Sequence, residues 1–420
     1  MTRYYISDTY YRSGGPVFLL MGDEEALDPN LFMTTQMSTN FAQQFNALAI
    51  TLEHRYYGQS MPTPNLSVSN LRYLTIDQVL RDVATFIDYL TTNLSLNGSK
   101  WVVFGGSYGG TLAALVRATY PNKTAGAVAS SAPMEFVYDF KTYLKAVSKS
   151  LGTQCSQYFG EATQELEEEF KSPEGWYTIQ QQFNLCDPFN GTDTLDVYQF
   201  MDQLTNNIMG AVQYNNLGLY PSIDTMCSIM ANTYGNSRPL DRYIRVFNLF
   251  SGGSQCNDFE YDDNIELMKQ TGLTDQASTS GDRQYLYESC NQLGWFQTTD
   301  LRKGQPFGND IPIKLYAKQC ADIFGPKFTA HTIRLNVKNT NRSYGIRNIN
   351  ITNTVFINGS IDPWRVIGVL HDINNSTRAI LIKGTSHCQD MLESAPTDPP
   401  SLVKARHMIV QQLKSIGKNK

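Results

Sequence analysis

No apolar run in the 420-residue sequence approaches the roughly 18 to 20 residues needed to span a bilayer. A transmembrane anchor is therefore not expected. Basic residues are not in excess: 34 Lys and Arg stand against 39 Asp and Glu, a formal net charge of -5. That balance provides no cationic face for nucleic acid or anionic lipid, so neither is expected as a partner. The C-x-x-C spacing of zinc sites and the G-x-G-x-x-G spacing of a dinucleotide fold are both missing, and no metal or other cofactor is expected. No repeat of fixed period and no low-complexity linker occurs, which argues against a solenoid. Histidine is scarce, with only five copies, so few residues can serve as a neutral base.

The remaining composition is that of a folded chain, 41% hydrophobic and 17% charged. At this length one core is rarely sufficient, so two domains or one domain with a large insertion are expected. Six of the seven cysteines (Cys155, Cys186, Cys227, Cys256, Cys290, Cys320) fall in the middle segment and suit disulfides better than buried thiols. Sequons for N-glycosylation are dense, at Asn65, Asn93, Asn97, Asn122, Asn190, Asn341, Asn350, Asn358, Asn374 and Asn375. The sequence opens Met1-Thr2-Arg3-Tyr4-Tyr5, without a charged and then apolar leader. Cysteines and sequons together predict a secreted or lysosomal protein whose leader is missing from this sequence.

Short apolar runs at Pro16-Val-Phe-Leu-Leu-Met21, Ala47-Leu-Ala-Ile-Thr-Leu52, Trp101-Val-Val-Phe104 and 125–129 read as buried parallel strands. Between them, Ile76, Val79, Leu80, Val83, Phe86, Ile87 and Leu90 recur at helical spacing, and 111–120 reads as a helix stopped by Pro121. After Pro133 the alternation gives way to helical segments at 136–151 and 161–170, and it resumes at Thr354-Val-Phe-Ile357 and Ala379-Ile-Leu-Ile382 before a last helix over 401–416. The pattern predicts an α/β fold, a mostly parallel sheet with helices on both faces, carrying an inserted helical and cysteine-containing domain. The core is expected at 1–134 and 331–420, with the insertion at 135–330.

Gly105-Gly-Ser107-Tyr-Gly109 fits G-x-S-x-G and lies directly between a strand and a helix, where the nucleophile elbow of an α/β-hydrolase belongs. The alternative, a glycine-rich phosphate turn, lacks its own spacing. A serine hydroxyl needs a neutral imidazole to take its proton and a carboxylate to fix the imidazole tautomer. In this fold both follow the nucleophile, on loops after the last strands. His387 lies just past Ala379–Ile382, in a loop of small residues, and Asp362 follows Thr354–Ile357 in Asn358-Gly-Ser-Ile-Asp-Pro-Trp364. His371 and His407 fall in helical pattern, and His331 follows no clear strand. The bland reading of Asp362 is an Asp-Pro turn. An oxyanion hole would draw on the backbone N–H of Tyr108 and, from the loop after Met21, that of Asp23. Glu24 in that loop is expected to face substrate, for instance a free amino terminus, or to pair with a base such as Arg55; a solvated loop charge is the bland alternative.

Five segments carry a resemblance: Gly14-Gly-Pro-Val-Phe18, Glu53-His-Arg-Tyr-Tyr-Gly-Gln-Ser60, Gly105-Gly-Ser-Tyr-Gly-Gly110, Tyr287-Glu-Ser-Cys-Asn-Gln-Leu-Gly-Trp-Phe-Gln-Thr298 and Asn358–Trp364. With these the whole chain resembles the prolyl carboxypeptidase family of serine peptidases, and the run 386–391 is most similar to its thymus-specific subgroup. The resemblance implies Ser107 as nucleophile, Asp362 as acid and His387 as base. It implies hydrolysis after proline by an exopeptidase of Pro-X carboxypeptidase or dipeptidyl peptidase type, with Tyr108 and Trp364 as walls of a proline pocket. The expected partners are peptides with proline at the cleavage site, and a homodimer is compatible with it. Family members carry a leader and a first hairpin before the strand containing Arg3-Tyr4-Tyr5, and a Gly-Gly-Glu-Gly pattern where this chain has Gly22-Asp-Glu-Glu25. A carboxylesterase or lipase would use the same three residues, and a non-catalytic binding protein could share the fold.

Overall fold

The computed structural model describes residues 2–252 and 256–418. Seven strands form one sheet in the order β1-β3-β2-β4-β5-β8-β9. They are β1 (Tyr4–Ser7), β2 (Val17–Met21), β3 (Leu48–Leu52), β4 (Trp101–Gly106), β5 (Gly126–Ser130), β8 (Thr354–Gly359) and β9 (Thr377–Ile382). All neighbours run parallel except β1, which pairs antiparallel with β3 through Tyr4 opposite Leu52. This is the α/β-hydrolase architecture that the alternating pattern predicts.

Strand side chains alternate between two cores. Val17, Leu19 and Met21 join the face covered by the helix Ile76–Asn93, whose Val79, Leu80, Val83 and Ile87 are buried there. Phe18, Val102, Phe104, Val355 and Ile380 point to the other face, against Leu402, Ala405, Ile409 and Leu413 of the helix Pro400–Lys418. Burial on both faces explains why these strands read as continuous apolar runs. No helix among the described residues is long and apolar enough to cross a membrane.

The sheet is interrupted between Ser130 and Thr354, where a largely helical segment is inserted. It includes a two-stranded parallel ribbon, β6 (Val137–Asp139) with β7 (Gly294–Phe296). The predicted helix over 136–151 is thus shorter: it runs Thr142–Leu151, and Phe136, Tyr138 and Phe140 precede it at the period of two that suits a strand. The segment at 161–170 belongs to a longer helix, Thr153–Glu169. Six cysteines form disulfides within the inserted segment, Cys155–Cys227, Cys186–Cys256 and Cys290–Cys320, leaving Cys388 as a free thiol. Loops of 72, 70 and 30 residues are closed in this way, which the chain-entropy estimate makes worth about 4 kcal/mol each.

Candidate active site

Ser107 sits at the C-terminal edge of the sheet, between β4 and the helix Ser107–Thr119, with φ of 50°. A non-glycine residue in this left-handed region is strained, and the strain is tolerated because the surroundings leave no alternative. A Cβ on Gly105 would lie 2.1 Å from the Gly109 carbonyl oxygen, and one on Gly110 would lie 2.9 Å from that of Ser130. Only glycine lets the strand, the elbow and β5 approach this closely. The helix begins at Ser107 itself rather than near Thr111 as its composition suggests, because the elbow supplies the first turn. Tyr108 lies in that turn, where backbone N–H groups have no intrahelical acceptor.

The loops after β8 and β9 bring Asp362 and His387 together. Asp362 Oδ2 lies 2.8 Å from His387 Nδ1, and its Oδ1 accepts the Trp364 N–H at 2.9 Å. Asp362 is 0% and His387 2% exposed, so this pair is screened from water. The carboxylate fixes the tautomer that carries its proton on Nδ1, which leaves Nε2 as the basic atom. That Nε2 is buried and has no hydrogen-bond partner among the described residues. Burial alone would hold the imidazole neutral, but Asp362 and the neighbouring Cys388 outweigh it, and the His387 pKa is raised well above its ordinary value.

The His387 loop is anchored from three sides. Its own N–H donates to the Gln213 carbonyl at 2.9 Å, the Cys388 N–H donates to Ser131 Oγ at 2.9 Å, and Ser130 Oγ donates to the buried Asp390 at 2.5 Å. Gln213 ends the helix Thr194–Gln213 of the insertion. Its Oε1 accepts both the Trp364 indole N–H at 2.8 Å and the Tyr143 hydroxyl at 2.7 Å, while the Tyr214 ring stands edge-on to His387 at 5.7 Å. Sequence reasoning missed Gln213 and Tyr214, since a glutamine at the end of an amphipathic helix carries no signal of its own.

Tyr108 and Trp364 flank Trp295, with ring centroids 6.1 and 5.6 Å from it. Trp295 takes φ of 63°, unusual for so bulky a residue. Asp23 and Glu24 follow β2 and are partly buried; a Cβ on Gly109 would lie 3.5 Å from that of Asp23, so this loop lies against the first turn after Ser107. Desolvation, then Glu25, pushes the Asp23 carboxyl up to about 7, while His387 pulls it down. Glu24 does not pair with Arg55: that guanidinium is taken by Asp82, at 2.6 and 2.8 Å. Of the other histidines, His54 packs its ring against Tyr108 at 5.6 Å, and the remaining three lie elsewhere. His331 and His407 are on the helices Ala330–Ser343 and Pro400–Lys418, whereas His371 occupies an exposed bend rather than a helix, because the chain turns away after Gly368. The Asn358 sequon is also misleading: its side chain is buried and donates to the Val369 carbonyl at 3.0 Å.

Comparison with known proteins identifies the family. The profile of the serine carboxypeptidase S28 family matches residues 1–409. Mouse thymus-specific serine protease is 33% identical, the alignment covering 98% of this chain and 83% of that protein. The human protein of the same name is 31% identical over 99% of this chain and 82% of its own length. Bovine lysosomal Pro-X carboxypeptidase is 28% identical over 98% and 83%. An α/β-hydrolase with a serine elbow, a disulfide-linked insertion and a profile match over nearly its whole length, this chain belongs to the serine carboxypeptidase S28 family of peptidases.

Proposed function

We propose that this peptidase works through Ser107, His387 and Asp362 and cleaves peptides after proline as an exopeptidase. The observation that carries the reading is the buried Asp362–His387 hydrogen bond, which leaves Nε2 without a partner among the described residues, in a loop whose Cys388 Sγ would lie 3.0 Å from a Cβ on Gly106, the residue before the elbow serine. In the acylation step the Ser107 hydroxyl loses its proton to Nε2 as Oγ attacks the scissile carbonyl. The imidazolium then returns that proton to the departing amine. Water repeats the sequence on the acyl-enzyme and releases the acid. Tyr108 N–H and Asp23 N–H are the proposed donors to the oxyanion.

The proline preference rests on Tyr108 and Trp364, read as walls of the pocket. An apolar ring without an N–H suits aromatic surfaces that ask for no hydrogen bond. The route is proposed to be secretory or lysosomal, supported by the disulfides, the exposed sequons and the likeness to lysosomal Pro-X carboxypeptidase.

Labelling with a fluorophosphonate probe, followed by peptide mapping, tests the nucleophile: the label is expected on Ser107 and absent from Ser107→Ala. Peptides with a central proline assayed beside a p-nitrophenyl ester test the substrate class. Turnover of the ester with none of the peptides would overturn the peptidase assignment in favour of an esterase.

A further inference from the structure

The segment Glu53–Ser60 contains none of the three catalytic residues, yet it holds a carboxylate that is 1% exposed and fully engaged. Glu53 Oε1 accepts the Arg3 Nε–H at 2.9 Å, the Leu27 N–H at 3.1 Å and a further bond from Arg3 Nη2. Its Oε2 accepts the Gln59 N–H at 3.0 Å and the Ser60 hydroxyl at 2.6 Å. Gly58, at φ of 55°, lets the chain pass over this carboxylate: a Cβ there would lie 2.1 Å from Oε1 and 3.0 Å from the Ala26 Cα. Arg3 also donates from Nη2 to the Leu27 carbonyl at 2.9 Å. The ion pair thus holds both main-chain groups of Leu27, one on the carboxylate and the other on the guanidinium. The pair is itself fixed to the sheet, since Tyr4 lies opposite Leu52 and the Glu53 N–H donates to the Arg3 carbonyl at 2.9 Å.

Leu27 ends the loop that follows β2. At the start of that loop the Gly22 N–H donates to the Leu52 carbonyl at 2.8 Å. Between these two ties, no hydrogen bond joins the main chain of residues 23–26 to any other described residue. The loop packs on the turn after Ser107, because a Cβ on Gly109 would lie 3.1 Å from the Met21 carbonyl oxygen and 3.5 Å from the Asp23 Cβ. A donor stabilises an oxyanion only if its direction is set before the charge develops. A span without hydrogen bonds of its own takes its direction from its two ends.

We propose that Arg3 and Glu53 are positioning residues for the oxyanion hole: by clamping Leu27 they hold the Asp23 N–H on the reacting carbonyl. The proposal rests on Ser107 as nucleophile and on Asp23 N–H as an oxyanion donor. Arg3→Ala is the informative change. It releases the Leu27 carbonyl and leaves Glu53 with the Leu27 N–H, the Gln59 N–H and the Ser60 hydroxyl. Loss of a whole oxyanion donor lowers kcat by about 10²- to 10³-fold, and a loosened donor by less.

The test compares a peptide aldehyde ending in prolinal with the matching alcohol. Ser107 Oγ adds to the aldehyde carbon, its proton passes to His387 Nε2, and the carbonyl π pair becomes an oxyanion; the alcohol forms none. In Arg3→Ala, kcat for a proline peptide is expected to fall 10-fold or more with KM within threefold. The aldehyde Ki should rise by the factor that kcat/KM loses, while the alcohol Ki stays within threefold. The Arg3 side chain is 21% exposed, so millimolar methylguanidinium should reach the vacated space and restore kcat at least threefold, with no effect on the wild type. Arg3→Met, which keeps the apolar stem, carries the same kinetic test if Arg3→Ala does not fold. Wild-type kcat in a folded variant overturns the proposal, as do aldehyde and alcohol Ki values that rise together. An aldehyde that binds the wild type no better than the alcohol, with no fluorophosphonate label on Ser107, would instead refute the underlying serine mechanism.

Discussion

Replacing Glu288 with glutamine should make the protein less sensitive to rising pH. Burial pushes the Glu288 carboxyl up to about 7 from an ordinary 4.5, although Tyr108 and Tyr57 favour its ionised form. Between those two values the folded state holds a proton that the unfolded chain has released. An acid whose folded pKa is raised therefore loses stability as pH climbs through that window, and the loss is complete above it. At 1.36 kcal/mol for each pH unit, a difference of about 2.5 units corresponds to about 3 kcal/mol. Glu288→Gln removes this contribution while keeping an oxygen for one of the two tyrosines. With an unfolding entropy of about 2 cal/mol/K per residue, about 3 kcal/mol over a chain this long is about 4 °C in Tm. Thermal unfolding of both proteins from pH 4 to pH 8 is the assay. The wild type should lose about 4 °C more than the variant across that range. Parallel Tm curves would refute the reasoning, because they would mean that Glu288 titrates alike in the folded and unfolded chains.

Three further outcomes are expected. The base must be neutral, and Asp362 holds His387 protonated to higher pH than usual despite burial, so the acid limb of kcat/KM should lie above pH 6.5; Asp362→Asn should move that limb down and cut kcat by about 10⁴-fold, measured by a pH–rate profile. Gln213→Ala removes the acceptor shared by Trp364 and Tyr143; kcat should fall 10-fold or more, with the melting temperature lowered by only a few degrees and Ser107 labelling slowed in proportion. In a glycosylating host, mass spectrometry should find glycans among the exposed Asn93, Asn97, Asn122, Asn190, Asn350 and Asn374, and none on the buried Asn358.

The sheet was legible because its strands are buried on both faces and bounded by turns, so Val17–Met21, Leu48–Leu52 and Thr354–Gly359 stand out as short apolar runs. Ser107 was legible through the glycines that its strained elbow requires, and His387 and Asp362 through their places after the last strands. The β6–β7 ribbon was not, since its strands are three residues long and their paired residues lie 157 positions apart, with no local turn to mark the pairing. Long-range contacts account for the other omissions. Nothing near Glu288 in sequence marks its carboxyl as a partner of Tyr57 and Tyr108, 231 and 180 positions away. The side chain of Asn358 satisfies the sequon pattern, yet its strand places it in the core, and a three-residue motif carries no information about depth.

Gln213 ties the insertion to the loops that carry Asp362 and His387. One residue receives Trp364 and Tyr143 on its side chain and the His387 amide on its backbone, so any movement that lifts this helix end to admit a peptide also releases the loop that aims the imidazole. An opening at this helix end would therefore cost the imidazole its aim until the contacts re-formed.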